Sequence, residues 1–198
     1  MTKDDYKEKI INEAVGILEN DGIILVPTDT IYGFAIDSRS KIALEKIYEI
    51  KKRDLNKKLP FVVDTYDRLM ELCDVDMDKI KRFNSVFPGK LTLVLKRKDQ
   101  DCTVAVRMIN NERINRIISR LDAPLMLTSA NISGKEVSEN IIDIIDEFED
   151  KIDMVIVGDR VSSISSTIVE VCDDELILIR EGAIPFEKIK ELFFGRHG

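Results

Sequence analysis

Two hydrophobic periods alternate along this chain. Residues 4–20 carry Ile10, Ile11, Ala14, Val15, Ile17 and Leu18 at helical spacing and stop at Gly22, which predicts an amphipathic helix. The continuous apolar run that follows, ending at Pro27, predicts a buried strand over 22–27. A short extended piece is expected around 34–36. Ser40 is placed to cap a helix to about residue 51, with Ile42, Leu44, Ile47 and Tyr48 as its apolar side. Further strands are predicted at 60–63, 91–95, 103–106, 124–127 and 153–157, and helices at 66–73, 76–85, 111–121 and 139–148. Residues 166–171 and 175–179 flank Cys-Asp-Asp and predict a hairpin, and a helix from 185 to about 194 follows. Helices interleaved with strands define an α/β fold, and the hairpin makes its sheet mixed. Without a linker or repeat, one domain over residues 1–198 is expected.

Composition narrows the class. Hydrophobic residues make up 44% of the 198, enough for a sizeable core. No apolar run approaches the roughly 20 residues that span a bilayer. The charged start Met-Thr-Lys-Asp-Asp-Tyr has no apolar signal core. Cys73, Cys102 and Cys172 are too scattered for a metal site and odd in number for a disulfide framework. A soluble cytoplasmic protein with reduced thiols and no metal ligands is the expectation. The single histidine, His197, sits in the tail, which disfavours a serine–histidine triad or a histidine zinc site. A net charge of -7 disfavours broad nucleic-acid binding. The charge is uneven, however: Lys51, Lys52, Arg53, Lys57 and Lys58 form a basic cluster, and 143–153 is an acidic, solvated stretch.

Polar chemistry gathers at the strand ends. After the 22–27 strand come Thr28, Asp29, Thr30 and Tyr32, bounded by Pro27 and Gly33. Core packing gives no reason for two hydroxyls, a carboxylate and a phenol there. Ligands in α/β folds sit just past the carboxyl ends of strands. Taken alone, TDT is equally a polar turn capping the next element. Lys51-Lys52-Arg53 at a helix end complements the helix dipole, and Ser129-Ala-Asn131 alone is a helix cap or an Asx turn. Arg107 follows a strand, Ser165-Ser166-Thr167 opens the hairpin, and Arg180-Glu181-Gly182 ends it. Together these put hydroxyls, amides and cations on several strand ends, with no nucleophile–base pair. Such a set suits a phosphorylated, carboxylated small molecule held by positioning and charge stabilisation.

In order, PTDTIYG (27–33), KKR (51–53), PGKLT (88–92), TVAVR (103–107), SANISG (129–134), SSTI (165–168) and REG (180–182) resemble the motif series of the YrdC-type threonylcarbamoyl-AMP synthase family, in its short single-domain form. The resemblance implies a twisted mixed parallel/antiparallel sheet flanked by helices around a concave ligand site. It implies that L-threonine, bicarbonate or CO2, and ATP give threonylcarbamoyl-AMP and pyrophosphate. The product would feed threonylcarbamoylation of the tRNA adenosine next to the anticodon, completed by separate transferase proteins.

Residue by residue, Thr30, Arg107, Ser129 and Ser166 fall on threonine-contacting positions, with Tyr32 beside them. Arg53, Lys57, Thr103, Asn131 and Arg180 fall on nucleotide-contacting positions, and Lys51 and Arg53 are the expected catalytic cations. Mg2+ is expected with the ATP. A forked guanidinium suits the threonine carboxylate, and a triphosphate needs several cations. Asp54, Lys90 and Ile109 stand where many members have Pro, Val62 where many have His, and Glu139 where a small hydroxyl residue is common. No role is carried to Val62 or Glu139.

Two other readings belong to the same residues. One is a carbamoyl-AMP-forming enzyme akin to the hydrogenase-maturation carbamoyltransferases, whose additional modules have no counterpart here. The other is a non-catalytic RNA-binding module on the basic rim. Acidic net charge and the lack of interleaved aromatics for base stacking oppose it.

Overall fold

The computed structural model describes residues 3–158 and 164–195; the tail histidine, His197, lies outside them. Helix α1 (Lys3–Glu19) stops where the amides of Asn20 and Gly22 both return to the Ile17 carbonyl. A Cβ on Gly22 would stand 2.7 Å from that carbonyl oxygen, so the stop requires glycine. Strands β1 (Ile24–Pro27) and β2 (Tyr32–Asp37) then form an antiparallel hairpin, with Pro27 opposite Tyr32. Helix α2 (Lys41–Lys51) starts at Ser40, whose Oγ accepts the Ala43 amide at 2.9 Å. It is followed by β3 (Phe61–Val63), α3 (Tyr66–Leu72) and α4 (Met77–Lys81), the two helices capped by Thr65 and Asp76. Next come β4 (Leu91–Lys96), β5 (Thr103–Met108), α5 (Glu112–Leu121) capped by Asn111, and β6 (Leu125–Ser129). The chain continues through α6 (Ile141–Phe148), β7 (Met154–Val155), the hairpin β8 (Thr167–Cys172) and β9 (Glu175–Arg180), and α7 (Phe186–Phe194).

The described strands make one nine-stranded sheet in the order β7-β1-β2-β6-β3-β5-β4-β8-β9. Three pairs are parallel (β1 with β7, β3 with β5, β4 with β8) and the others antiparallel, as the mixed α/β expectation requires.

Strand alternation divides the core between two faces. On one face, Phe61, Val63, Leu91, Leu93, Val104, Val106 and Val169 pack under α3, α4 and α7. The same face continues to Leu25, Phe34 and Ile36 under α2 and α6. On the opposite face, α1 and α5 cover Val26, Ala35, Val62, Leu125 and Leu127. The buried apolar strand residues there come from β1, β2, β3 and β6, and none from β4, β5 or β8. Half of that face is therefore open. The site lies on this open half.

Three elements differ from the sequence expectation. The 76–85 helix ends at Lys81, because Phe83, Val86 and Phe87 are drawn into the core before Pro88, the first two through i→i−3 turns and Phe87 through an i→i−4 bond to the Phe83 carbonyl. The 153–157 strand shrinks to Met154–Val155, since its partner β1 is short and Pro27 has no N–H to offer. Ile42, expected on the apolar side of α2, is 53% exposed.

Gly33 lies where β2 crosses β6, opposite Ser129. A Cβ there would meet Leu127 Cδ2 at 2.7 Å and the Thr128 carbonyl oxygen at 2.8 Å. Gly33→Ala should destabilise the fold by about 1–3 kcal/mol through overpacking. Urea titration against the wild-type protein measures this.

Candidate active site

The strand pleat assembles the site. Val62 pairs with Arg107 in β3–β5, so these side chains rise on the same face, joined by Ala105 two residues back. Leu127 and Ser129 of β6, Thr92 of β4, Ile168 of β8 and Arg180 of β9 complete the floor and far wall. Thr28, Thr30 and Arg53 close the near side. The resulting cavity holds about 180 Å³.

Thr28 builds the tip of the β1–β2 hairpin. Its Oγ1 accepts the amides of Thr30 and Ile31 at 3.0 and 3.1 Å and donates to the Ile31 carbonyl at 2.7 Å. Thr28 thus does the work of a turn and leaves Thr30 facing inward, fully buried. Arg107, 7% exposed, is held from three sides. Its Nε donates to the Gly89 carbonyl at 3.0 Å, one terminal nitrogen to Thr30 Oγ1 at 3.1 Å, and the other to Asp29 Oδ1 at 2.5 Å. Across the floor, Ser166 Oγ and Thr92 Oγ1 share a 2.8 Å hydrogen bond.

Three guanidiniums feel one another. Burial pushes Arg107 below its ordinary pKa, Asp29 pulls it up, and Arg180 pushes it down again. Arg180, at the exposed rim, is lowered by desolvation and then by Arg53. Its guanidinium donates to the Ser166 carbonyl at 2.9 Å. Arg53 donates to the carbonyls of Lys57 at 2.8 Å and Lys58 at 3.3 Å, which folds the 53–58 loop over the rim. No acid lines the cavity itself. A concave surface with this charge attracts anions.

The structure gathers Thr30, Arg53, Arg107, Ser129, Ser166 and Arg180 as the sequence expects. It places the other expected residues differently. Lys51 is not a cation facing the cavity. It is 1% exposed, and its Nζ donates to the Ser129 carbonyl at 2.5 Å, the Asn131 carbonyl at 2.6 Å and Asn131 Oδ1 at 3.2 Å. Asn131 is likewise occupied: its Oδ1 also accepts Ser129 Oγ at 2.6 Å, and its Nδ2 donates to Lys135 O at 2.6 Å. Both residues hold the 129–135 turn from behind. Tyr32 is buried, with its hydroxyl 3.4 Å from the backbone of Gly158. The Lys57 side chain is exposed, while its carbonyl accepts Arg53. Thr103, four residues before Arg107 on the same face of β5, borders a separate apolar cavity of about 430 Å³ that shares Lys58 and Ala105 with the main one.

Sequence reasoning assigned no role to Asp29, Thr92 or Lys58. Asp29 had a legible signal, since an arginine amid Val104, Val106 and Met108 must be paired, and Asp29 is the acid in the adjoining motif. Gly182 also has a clear cause: a Cβ there would stand 2.3 Å from the Ser165 carbonyl oxygen.

Fold and site together define an α/β protein with a cation-lined cavity on an uncovered half-sheet. The chain belongs to the Sua5–YciO–YrdC family, whose model, described as telomere recombination, matches residues 16–182. A Methanocaldococcus jannaschii protein provisionally named threonylcarbamoyl-AMP synthase is 33% identical over 192 residues, covering 94% of this chain and 92% of that protein. The crystal structure of Pyrococcus abyssi Sua5 complexed with L-threonine superimposes with a TM-score of 0.84 at 27% identity over 92% of this chain. The chain spans only 56% of that protein's length. Escherichia coli YciO shares the fold with a TM-score of 0.82 at 24% identity, covering 90% of this chain and 92% of that one.

Lys51→Met takes the lysine donor from the buried Asn131 carbonyl, while the Ser129 carbonyl keeps the Asn131 amide, at a cost of about 1–3 kcal/mol. Burial, and after it Arg53, lowers the Lys51 amine to about 8. Below that value folded and unfolded chains are both protonated, and this group adds no pH dependence. Between about 8 and the ordinary lysine value of about 10.4 the unfolded chain binds more protons, so stability rises with pH. Denaturation across this range should show the wild-type advantage over Lys51→Met growing with pH.

Proposed function

We propose that this chain is an L-threonylcarbamoyladenylate synthase, a nucleotidyltransferase that makes threonylcarbamoyl-AMP and pyrophosphate from L-threonine, bicarbonate or CO2, and ATP. The observation that carries the reading is the convergence of Arg53, Arg107 and Arg180 with Thr30, Ser129 and Ser166 on one cavity. Its support is the fold shared with a protein crystallised with L-threonine.

Threonine brings a carboxylate and a hydroxyl. Arg107 keeps N–H groups beyond the three already engaged, and these receive the carboxylate. Thr30, Ser129 and Ser166 are the small polar partners for the hydroxyl end. Arg53 and Arg180 hold the phosphates at the rim, where they stabilise charge as pyrophosphate departs. The apolar cavity beside Thr103 takes the nucleoside. N-carboxythreonine attacks the α-phosphorus directly, so no enzyme nucleophile is needed.

Among the described residues no cluster of three or more His, Cys, Asp or Glu side chains is placed to hold a metal ion. In this reading Mg2+ enters with the phosphates of ATP, as part of the substrate, and screens their charge. No described helix is long and apolar enough to cross a membrane. A cytoplasmic setting suits ATP and the tRNA-modifying transferase that consumes the product. The whole chain, 1–198, acts as one catalytic domain in this reading.

Purified protein given ATP, Mg2+, bicarbonate and threonine should release pyrophosphate, and leaving out threonine or bicarbonate should abolish the release. Both are required because the attacking carboxylate forms only when the threonine amine meets CO2. Release without threonine but with carbamoyl phosphate would move the chain to the carbamoyl-AMP class. Tight, salt-sensitive RNA binding without turnover would make it a binding module.

Arg53→Ala and Arg180→Ala should each raise the ATP requirement or lower turnover by about one to two powers of ten, with circular dichroism unchanged. Lys52, exposed at the end of α2 with φ 48, should tolerate Ala. Equal damage from Lys52→Ala would mean that a diffuse charge field, not placed arginines, holds the phosphates.

A further inference from the structure

Asp29 has one oxygen too many. Its Oδ1 accepts Arg107 at 2.5 Å, but its Oδ2 is buried and has no hydrogen-bond partner. The side chain is 12% exposed. A buried carboxylate oxygen without a donor is costly, and the cost persists until something donates to it.

Three cations, Lys7, Arg113 and Arg116, line the space on that side, and none of them donates to this oxygen. Arg113 donates to the Val157 carbonyl, and Arg116 pairs with Glu8. Asp29 borders a second cavity of about 320 Å³ that meets the main one at Thr28. Asp29 thus stands at the seam between two spaces, beside the guanidinium that anchors a carboxylate.

An amino acid presents two charges on one carbon. Arg53, Arg107 and Arg180 attract its carboxylate, and all three repel its ammonium. No acid lines the main cavity, so the counter-charge must come from its edge. Asp29 is that acid, in direct contact with Arg107.

Resting on the function proposed above, we propose that Asp29 is a specificity-determining residue whose free carboxylate oxygen accepts the ammonium of the substrate, so that Arg107 and Asp29 form a charge pair complementary to a zwitterionic α-amino acid. The pair selects amino acids over plain hydroxy acids. It also fixes the nitrogen at the seam while the carboxylate stays on Arg107.

Calorimetric titration with L-threonine and with 3-hydroxybutyrate, which keeps the carboxylate and hydroxyl but lacks the amine, tests this. The wild-type protein should bind threonine at least about tenfold more tightly than 3-hydroxybutyrate, a comparison that needs no variant. Asp29→Asn keeps an acceptor for Arg107 and removes the charge. It should weaken threonine about ten- to a hundredfold and leave 3-hydroxybutyrate unchanged or tighter. A variant that merely misplaced Arg107 would lose both ligands alike, and that result overturns the proposal. Equal wild-type affinity for the two ligands overturns it as well, as does threonine binding that Asp29→Asn leaves intact. Failure of the wild-type protein to bind threonine at all is instead the failure of the functional reading, and this inference falls with it.

Discussion

A guanidinium cannot be taken out of water unless its N–H groups are met. Arg107 imposes that requirement on the rest of the site. Its partners lie far apart in sequence: the Gly89 carbonyl in the turn before β4, and Thr30 and Asp29 at the tip of the first hairpin. Gly89, at φ 147, takes a backbone conformation that side chains rarely adopt, and its own amide returns to Met108 O at 2.8 Å. Pairing one buried charge therefore locks a hairpin tip, a glycine turn and a central strand into one arrangement.

A second buried charge performs the same service from the other side. Lys51 sits beneath the 129–131 turn and ties it to the end of α2, and its own carbonyl accepts the Ser133 amide at 2.8 Å. Arg53, two residues later, is at the rim. The same short basic segment thus supplies one cation for architecture and another for the ligand. The left-handed Lys52 between them turns the chain so that the two can diverge.

Much of this was legible in advance. Periodicity located nearly every helix and strand, because burial on one or two faces leaves a direct trace in the order of residues. The motif series located the cavity wall. Depth was not legible. Lys51 and Arg53 look alike in sequence, and which of them is buried is decided by the approach of β6, a contact 78 residues away. The role of Asn131 was hidden for the same reason, since its partner Lys51 is 80 residues away in sequence. The extended piece was expected around 34–36, yet the hairpin pairs Tyr32 opposite Pro27 and places it within the strand. Local patterns report what a residue is. Only long-range packing reports which side of a wall it occupies.

The half-covered sheet has a consequence for motion. Strands β4, β5 and β8 are sealed by α3, α4 and α7 on one face and lie open on the other, so the work of keeping them ordered falls on a single layer. Regions with fewer buried contacts open at lower free energy than the global fold. A ligand seated on the open face supplies the missing second layer. Occupancy and local order in this half of the molecule are therefore one equilibrium, and the slowest-exchanging amides of the empty protein belong under α1 and α5 rather than around the site.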